Sequence, residues 1–401
     1  MTRDPFNVND HLVQAGRPPR KEGRHVNMPM ELGSTMVFDT LSAFEAARDA
    51  RYQSGTMYYG RYGNAAVYQL ETVLAGLERA DGVTLTSSGV AAVTMALMAL
   101  TKPGDHVLVA DHAYGNTRTF CDGLLTRQGV SVEYYDPMIG AGLSDLIRET
   151  TTVVMLESPG SGTFEVPDIP AIAKAASDRG VISVIDNTWA SPLLCQPLEL
   201  GVDVVVYSGS KYLCGHSDCM LGVIAARGAH VARIRKTVMS IGDKPGSQEV
   251  FLALRSLRTL KLRMQHVETA ALDMAQWLAR QPQVKAVLHP AFPGCPGHEF
   301  WKRDYSGAAG LFGVIFHPCA DDQVRTFVDA LHHFSIGVSW GGFESLVLPV
   351  NPVRSATQWN EPGQLVRFNI GFEDLQSLKD DLSAALPHLN TAQETPFAQQ
   401  D

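Results

Sequence analysis

The 401-residue sequence has few cysteines, no long apolar run and no recognisable repeat. Its six cysteines show no paired framework, which is typical of a reducing compartment rather than of a secreted disulfide scaffold. No apolar run reaches the length that crosses a bilayer, and the opening MTRDPFNVNDHLVQAGRPPR carries charges where a signal peptide has its apolar stretch. The sequence therefore predicts a cytoplasmic protein without a membrane partner.

The charged residues also lack any long block of one sign. The formal net charge is −9, from 33 basic and 42 acidic residues spread along the chain, which argues against a nucleic-acid-binding surface. With 45% apolar and 19% charged residues, the chain can bury a large core. Small molecules are therefore the expected partners.

Short apolar runs alternate with helical patterns through the first two thirds of the chain. A helical pattern covers 64–80, and a second, rich in small residues, covers 86–100. The apolar runs that follow are HVLVA (106–110), TTVVMLES (151–158), VISVIDN (181–187), DVVVYSGS (203–210) and MLGVIAA (220–226). Continuous apolar runs separated by helices indicate a mainly parallel sheet that is covered on both faces.

The pattern changes at both ends of this unit. Residues 1–60 show little periodicity and read as an arm that packs on something else. From 256 onward, a long Arg-rich helix precedes apolar runs and two further helices, the last of them beginning at Asp374, which indicates a smaller α+β unit. We therefore predict an N-terminal arm (1–60), a large α/β domain (61–255) and a C-terminal α+β domain (256–401).

The stretch VVVYSGSKYLCGHSDC (204–219) puts a lysine, Lys211, at the end of an apolar run. Burying an ammonium group is costly unless it is paired or neutralised, so such a lysine either reaches the surface or is reactive. Two other runs end in polar residues: VISVID in Asp186, and TTVVMLE in Glu157 and Ser158. Ligands bind at the carboxyl ends of strands in open α/β sheets, so we expect these side chains in one crevice.

An anion site is expected at the same crevice. Ser88 and Gly89 stand where a helix begins, and a helix N-terminus offers free N–H groups to an anion. Ser208 and Ser210 flank the approach to Lys211. A lysine for a Schiff base, an acidic partner for a ring nitrogen and a phosphate site are together what pyridoxal phosphate requires.

Two single motifs resemble those of other protein classes, serine acyl hydrolases and dinucleotide-binding proteins, but neither signature is complete. Ser208 and Lys211 match the S-x-x-K pattern of serine acyl hydrolases, but that motif opens a helix and is accompanied by K-T-G, whereas here it ends an apolar run and K-T-G is absent. The segment GAG at 140–142 lacks the third glycine and the strong preceding strand of a dinucleotide fingerprint. Acyl transfer is therefore a distant alternative.

A zinc site is a further alternative. Cys214 and Cys219 could be combined with His216 and His112, but their spacing differs from the usual Cys-x-x-Cys pairs. Small buried cysteines are the more common case. We therefore predict no metal ion.

Nine segments of the chain resemble, in order, segments of one enzyme family. They are YYGRYGN (58–64), DHAY (111–114), VMLESPGS (154–161), VIDNTWA (184–190), SGSKYLCGHSD (208–218), LRTLKLRMQH (257–266), HPAFPGCPGHEFWKRDYSGAAGLF (289–312), SWGGFESL (339–346) and LVRFNIGFED (365–374). The chain resembles the cystathionine β-lyases of the Cys/Met-metabolism family of pyridoxal-phosphate enzymes. This resemblance implies fold type I, a seven-stranded type of sheet and a smaller C-terminal domain.

The resemblance also implies residue roles around the cofactor. Lys211 forms the Schiff base and moves the α-proton, Asp186 keeps the pyridine nitrogen protonated, and Tyr114 stacks on the ring. Tyr59 and Arg61 match residues that reach the phosphate of a neighbouring subunit, which implies a homotetramer built from dimers that share active sites. The full set of implied cofactor-binding residues is Lys211, Asp186, Tyr114, Ser88, Gly89, Val90, Ser208, Ser210, Tyr59 and Arg61, and the implied catalytic residues are Lys211, Tyr114 and Tyr59.

For the substrate, the resemblance implies a small amino acid whose α-carboxylate is clamped by Arg367 with Ser339 beside it. Trp340 matches the β-lyases, and Val338 stands where γ-lyases and γ-synthases have a glutamate. Tyr114, Trp340 and Val338 are the other residues expected at the substrate. These features favour β-elimination of cystathionine to a thiol, pyruvate and ammonia.

Two departures keep γ-elimination open as the competing reaction. The better-known bacterial β-lyases have a tyrosine where this chain has Val338, and the segment at 236–248 lacks the tyrosine expected near position 238. Both positions are expected near the distal side chain of the substrate, so the leaving group could come from cysteine, cystine, methionine or a heteroatom analogue such as canavanine. Asn116, which stands in the place of the cysteine of methionine γ-lyases, favours β-elimination instead.

Overall fold

The computed structural model describes residues 7–17, 23 and 25–389. The α-helices of this part of the chain are α1 (Val8–Gln14), α2 (Leu41–Asp49), α3 (Ala65–Glu78), α4 (Gly89–Leu100), α5 (Gly115–Phe120), α6 (Ile169–Ser177), α7 (Ser191–Leu194), α8 (Ala229–Ile241), α9 (Ser247–Leu257), α10 (Leu260–Leu278), α11 (His298–Asp304), α12 (Asp321–Asp329) and α13 (Leu375–Ala385). Short π- or 3₁₀-helical segments cover Cys121–Leu125, Gly140–Asp145 and Leu386–His388.

The strands fall into two sheets. They are β1 (Gly82–Thr86), β2 (His106–Ala110), β3 (Ser131–Tyr135), β4 (Thr151–Glu157), β5 (Ile182–Asp186), β6 (Val204–Ser208), β7 (Gly222–Ala226), β8 (Val284–Leu288), β9 (Leu311–Phe316), β10 (Ser335–Ile336), β11 (Leu346–Pro349) and β12 (Leu365–Asn369). No helix among residues 7–17 and 25–389 combines the length and the apolar character needed to cross a membrane.

The larger sheet has seven strands in the order β1-β7-β6-β5-β4-β2-β3. The pairs from β6 to β3 are parallel, and β7 runs antiparallel to both β6 and β1. Successive residues of β6 point to opposite faces: Val204 and Val206 pack in one core cluster, and Val205 and Tyr207 in another. The mainly parallel sheet with two covered faces is confirmed, and each of the five apolar runs contains one of its strands.

The smaller sheet has five strands in the order β10-β11-β12-β9-β8, and apart from the short parallel pair β10–β11 its pairs are antiparallel. One face of this sheet packs in a cluster of its own, which contains phenylalanines 312, 316, 327 and 368 together with one face of α10. On the other face, Leu311, Ile315 and Leu365 join the core of the larger sheet. The α+β character of the C-terminal part is therefore as predicted.

The sequence patterns missed several elements. The strand β1 lies between the two predicted helices and overlaps the second only at Thr86, and that helix begins only at Gly89. The edge strand β3 is short and only partly buried, with Glu133 at its centre, so it lacks the apolar run on which the other strands were identified. In the arm, α1 follows the N-cap Asn7 and α2 follows the N-cap Thr40, and α2 has no buried residue.

Candidate active site

Four adjacent strands of the larger sheet lead to the proposed site. Strand β6 is followed by Lys211, and its neighbour β5 ends in Asp186. Next to β5, strand β4 ends in Glu157, and β2, on the far side of β4, is followed by Tyr114. Asp186 and Glu157 are direct register partners across β4 and β5. The four strands are parallel, so their carboxyl ends meet at one edge and bring these side chains together.

The side chain of Lys211 reaches the segment between β10 and β11. Its Nζ donates a hydrogen bond to Ser339 Oγ at 2.8 Å and lies 5.5 Å from the ring centre of Trp340. Burial and, to a smaller extent, the positive charge of Arg367 together lower the pKa of Lys211 to about 8, and the carboxylate of Asp186 opposes both. The lysine is therefore partly neutral near neutral pH, as a nucleophilic amine has to be.

Asp186 is a buried carboxyl held by its own turn. It accepts hydrogen bonds from the backbone N–H of Thr188 at 2.9 Å and from the Thr188 hydroxyl. Burial raises the pKa of Asp186, whereas Thr188 and the charge of Lys211 lower it. The Thr188 hydroxyl also accepts the N–H of Ser208 at 3.0 Å, so one threonine ties the end of β5 to the end of β6.

The start of α4 lies against the end of β6. Ser88 is the N-cap, its Oγ accepting the N–H of Ala91 at 3.1 Å, and the first N–H groups of the helix have no helical acceptor. A Cβ on Gly89 would lie 2.4 Å from the Cβ of Ser208, so only glycine allows this approach. Ser210 is held separately, since its Oγ accepts the N–H of Leu221 at 2.9 Å.

These residues fit pyridoxal phosphate. The start of α4, with Gly89 and Val90, forms a cradle of backbone N–H groups that a larger side chain at 89 would fill. Asp186 supplies a buried acid for a ring nitrogen, and Lys211 supplies an amine of lowered pKa. The structure thus brings Lys211, Asp186, Ser208 and Gly89 to one end of the sheet.

Arg367, on β12, approaches the cleft from the smaller sheet. Its Nη2 donates to the carbonyl oxygens of Gly337 at 3.3 Å, Val338 at 2.9 Å and Ser339 at 3.3 Å. Among the described residues, no hydrogen bond uses its Nε or Nη1. Arg367 and Trp340 line a cleft of about 360 Å³ of empty space, together with Asp186, Glu157 and a glycine-containing loop.

Tyr114, Trp340 and Val338 differ in how they relate to this cleft. Tyr114 is 39% exposed, and its hydroxyl oxygen accepts a hydrogen bond from Asn116 Nδ2 at 2.9 Å. Trp340 packs on the ring of Tyr212 with centroids 5.4 Å apart. Val338 is 76% exposed, and its carbonyl accepts a hydrogen bond from Arg367, so within one chain Val338 contacts this arginine through its backbone.

Tyr59 and Arg61 lie apart from these residues in the single chain. Arg61 donates to the carbonyl of Met239 and, at 2.7 Å, to the hydroxyl of Tyr62. Tyr59 forms an isolated bridge with Thr35 and is 40% exposed. Within the described chain, no hydrogen bond or ring contact joins either residue to the cleft.

Three of the four residues considered for a zinc site contact backbone carbonyl groups instead. His216 Nδ1 lies 2.6 Å from the Cys214 carbonyl, and Cys219 Sγ contacts the Glu249 carbonyl at 3.6 Å. His112 binds elsewhere, with Nε2 2.8 Å from the Glu157 carbonyl. In the part of the chain that is described, no cluster of His, Cys, Asp or Glu is arranged to hold a metal.

Two residues of the site, Thr188 and Glu157, were assigned no role on the basis of the sequence alone. Thr188 stands two positions after Asp186, the spacing at which an aspartate commonly binds the following backbone, so the DNT triplet carried a signal. Glu157 was recognised only as a polar strand end. Its contact with the Tyr114 backbone joins residues that are 43 positions apart, and no local pattern reports it.

Comparison with known proteins agrees with this geometry. Residues 9–387 match the model of the Cys/Met metabolism PLP-dependent enzyme family. A cystathionine β-lyase of Haemophilus influenzae is 36% identical, covering 96% of this chain and 99% of its own. An L-alanine/L-glutamate racemase of Wolbachia pipientis is also 36% identical, covering 95% of this chain and 98% of its own.

A solved structure, cystathionine γ-synthase from Xanthomonas oryzae pv. oryzae in complex with aminoacrylate and cysteine, superposes with a TM-score of 0.86. It is 29% identical, and the match covers 96% of this chain and 99% of that one. The chain belongs to the Cys/Met-metabolism family of pyridoxal-phosphate-dependent enzymes. The predicted fold, the cofactor and the class of pyridoxal-phosphate-dependent carbon–sulfur lyase are confirmed.

Proposed function

We propose that the protein cleaves cystathionine by β-elimination, which with one water yields homocysteine, pyruvate and ammonia. The observation that carries this proposal is the convergence of Lys211, Asp186 and Arg367 on one cleft. An amine, a buried acid and a guanidinium are what binding and deprotonating an amino acid requires. The similarity to a cystathionine β-lyase supports the choice of substrate.

Each residue has a separate task in this proposal. Pyridoxal phosphate, when bound, supplies the electron sink for the charge that develops on the α-carbon. Lys211 accepts the α-proton, and Asp186 holds the proton on the ring nitrogen. Tyr114 stacks against the ring. Ser88, Gly89, Val90, Ser208 and Ser210 hold the phosphate.

Arg367 is proposed to bind the substrate α-carboxylate. Planar guanidinium groups bind carboxylates through two parallel hydrogen bonds, and Nε and Nη1 remain for this use while Nη2 holds the 337–339 segment. Ser339 lies on that segment and also contacts Lys211. A carboxylate bound by Arg367 would therefore lie on the lysine side of the cleft.

The β-position is preferred over the γ-position because Trp340 stands as in β-lyases and Val338 replaces the glutamate of γ-lyases and γ-synthases. The racemase relative adds a third outcome, since removal of the α-proton followed by return of a proton to the opposite face inverts the α-carbon and retains the side chain. A panel of cystathionine, cystine, methionine and canavanine tests the assignment. We expect pyruvate from cystathionine with the highest kcat/KM; 2-oxobutyrate from cystathionine or methionine would assign γ-elimination instead.

We further propose a homotetramer of dimers, with Tyr59 and Arg61 reaching the phosphate in a neighbouring subunit. The arm supports this because α2 buries no residue within its own chain and Leu32, Val37 and Leu41 are exposed apolar side chains. Sedimentation should give four chains. Mixing inactive Lys211→Ala and Arg61→Ala subunits should restore up to about a quarter of the activity, because one site in a mixed dimer is intact; no recovery after verified subunit exchange would contradict shared sites.

The predicted division into an arm (1–60), a large domain (61–255) and a C-terminal domain (256–401) also stays a proposal, as does the cytoplasmic location. A cluster of buried residues drawn only from 270–389 supports a separate C-terminal unit. Limited proteolysis tests the arm: we expect the first cuts between residues 25 and 60, and none at 256, which lies on the buried side of α9. Early cuts within the strands of either sheet would contradict the division.

A further inference from the structure

Glu157 occupies the strand end between those of Asp186 and Tyr114, yet no role has been assigned to it. Its strand, β4, lies between β5 and β2, and Glu157 is the register partner of Asp186. Its carboxyl Oε2 accepts the backbone N–H of Tyr114 at 2.7 Å. Its backbone carbonyl accepts a hydrogen bond from Nε2 of His112 at 2.8 Å. Glu157 is thus bonded twice to the DHAY segment and stands beside the buried acid.

Glu157 and Asp186 place two buried carboxyl groups on adjacent strand ends, so ionisation of both at once is unfavourable. Burial, followed by the charge of Asp186, raises the pKa of Glu157 well above its ordinary value, and the Tyr114 N–H opposes this. Asp186 has more groups that favour its charged form, namely two hydrogen bonds from Thr188 and the nearby Lys211. The proton therefore resides on Glu157 and the charge on Asp186.

We propose that Glu157 is a positioning residue that works as a neutral acid, fixing the backbone of Tyr114 relative to Asp186 without adding a second negative charge to the site. A second carboxylate here would compete with Asp186 for the ring proton. A neutral group of the same length holds the Tyr114 amide and leaves Asp186 as the anion. The inference rests on the cofactor-binding roles proposed for Asp186 and Tyr114.

The first test is cofactor binding by three variants. Glu157→Gln keeps an uncharged acceptor of the same length, whereas Glu157→Ala leaves the Tyr114 amide without its acceptor. We expect the dissociation constant for pyridoxal phosphate to stay within about threefold in the Gln variant and to rise at least about tenfold in the Ala variant. The visible circular dichroism of the bound cofactor should change in the Ala variant, because the stacking ring moves. If Glu157→Ala does not fold, Glu157→Asp, which is too short to reach the amide, is expected to show the same weakening.

Equal binding by the wild type and the Ala variant would overturn the proposal. Binding by the Gln variant as weak as that of the Ala variant would also overturn it, since an ionised carboxylate would then be required. These readouts need no turnover. If the wild-type holoenzyme fails to cleave cystathionine, the proposed function fails while the test of Glu157 stands.

The second test is the pH dependence of kcat/KM. The titratable groups near Glu157, namely Asp186 beside it on β5, His112 at its carbonyl and Arg367 across the cleft, are all retained in Glu157→Gln. With a neutral Glu157, we expect the acid limb of the profile to move by less than about 0.3 pH units. An ionised Glu157 would raise the pKa of Asp186, and its replacement would move the acid limb down by about one unit. A shift of that size would contradict the neutral acid.

Discussion

The side-chain nitrogen of Lys211 lies 2.8 Å from the hydroxyl oxygen of Ser339, a contact between residues 128 positions apart that joins the segment after β6 to the segment between β10 and β11. Ser339 belongs to the segment that Arg367 holds through three carbonyl groups. The lysine, the serine and the arginine therefore form one continuous arrangement.

Loading of pyridoxal phosphate onto the apoprotein should depend on the protonation of Lys211. Only the neutral amine attacks a carbonyl, so the loading rate should rise with pH and reach half its maximum near the pKa of about 8. Arg367→Gln should move this midpoint up, because it removes a positive charge. Asp186→Asn should move it down, because it removes a negative charge. Stopped-flow absorbance measures the rates, and a midpoint near that of a free lysine would contradict the buried setting.

Arg367→Lys should weaken substrate binding more than cofactor binding. A lysine offers one point charge in place of the paired donors of guanidinium, so we expect KM for the amino acid to rise at least about tenfold. The dissociation constant of the cofactor should change little. Arg303→Lys, on α11 and bonded to Asp168, is the matched control and should leave KM unchanged. An unchanged KM in Arg367→Lys would remove the arginine from the substrate site.

Gly89→Ala should disturb the phosphate cradle. The added Cβ would lie 2.4 Å from that of Ser208, so the start of α4 and the end of β6 must separate, at a cost of about 1–3 kcal/mol. Cofactor affinity should fall at least about tenfold as the N–H groups move. Gly123→Ala is the control: its Cβ meets nothing within 4 Å, so stability should change by less than about 1 kcal/mol. Thermal unfolding and cofactor titration measure both, and equal behaviour of the two variants would refute the cradle.

Glu78 should make stability depend on pH. Its side chain is fully buried, and burial raises the pKa of Glu78 to about 8, although the hydroxyl of Tyr207 opposes the shift. The unfolded chain releases this proton near its ordinary value of 4.5, so the contribution of Glu78 to stability is present below that pH and is lost as pH rises to 8. This loss lowers the free energy of unfolding by about 3 kcal/mol between pH 5 and pH 8.

Urea unfolding of Glu78→Gln at the two pH values measures this effect. The glutamine cannot ionise, so the pH dependence attributable to this position should disappear, and the variant should exceed the wild type in stability at pH 8. The exposed Glu299→Gln is the control and should keep the wild-type dependence. Parallel pH profiles for the wild type and Glu78→Gln would show that Glu78 is not buried as described.

The central strands and the lysine were predictable from the sequence because their signals are local. Runs such as HVLVA are buried on both faces and stay apolar throughout, and Lys211 is conspicuous at the end of one of them. The edge strand β3 was missed because a half-exposed strand carries polar residues such as Glu133. Contacts between distant segments, such as that of Glu157 with the Tyr114 amide, arise only when β2 and β4 become neighbours in the sheet.

The keto acid formed from cystathionine tests the account most directly. Holoenzyme incubated with cystathionine alone should release pyruvate and homocysteine in equal amounts, and Lys211→Ala, which lacks the amine that accepts the α-proton, should be slower by at least about a hundredfold. Formation of 2-oxobutyrate and cysteine instead, or absence of any keto acid from cofactor-loaded protein, would contradict β-elimination.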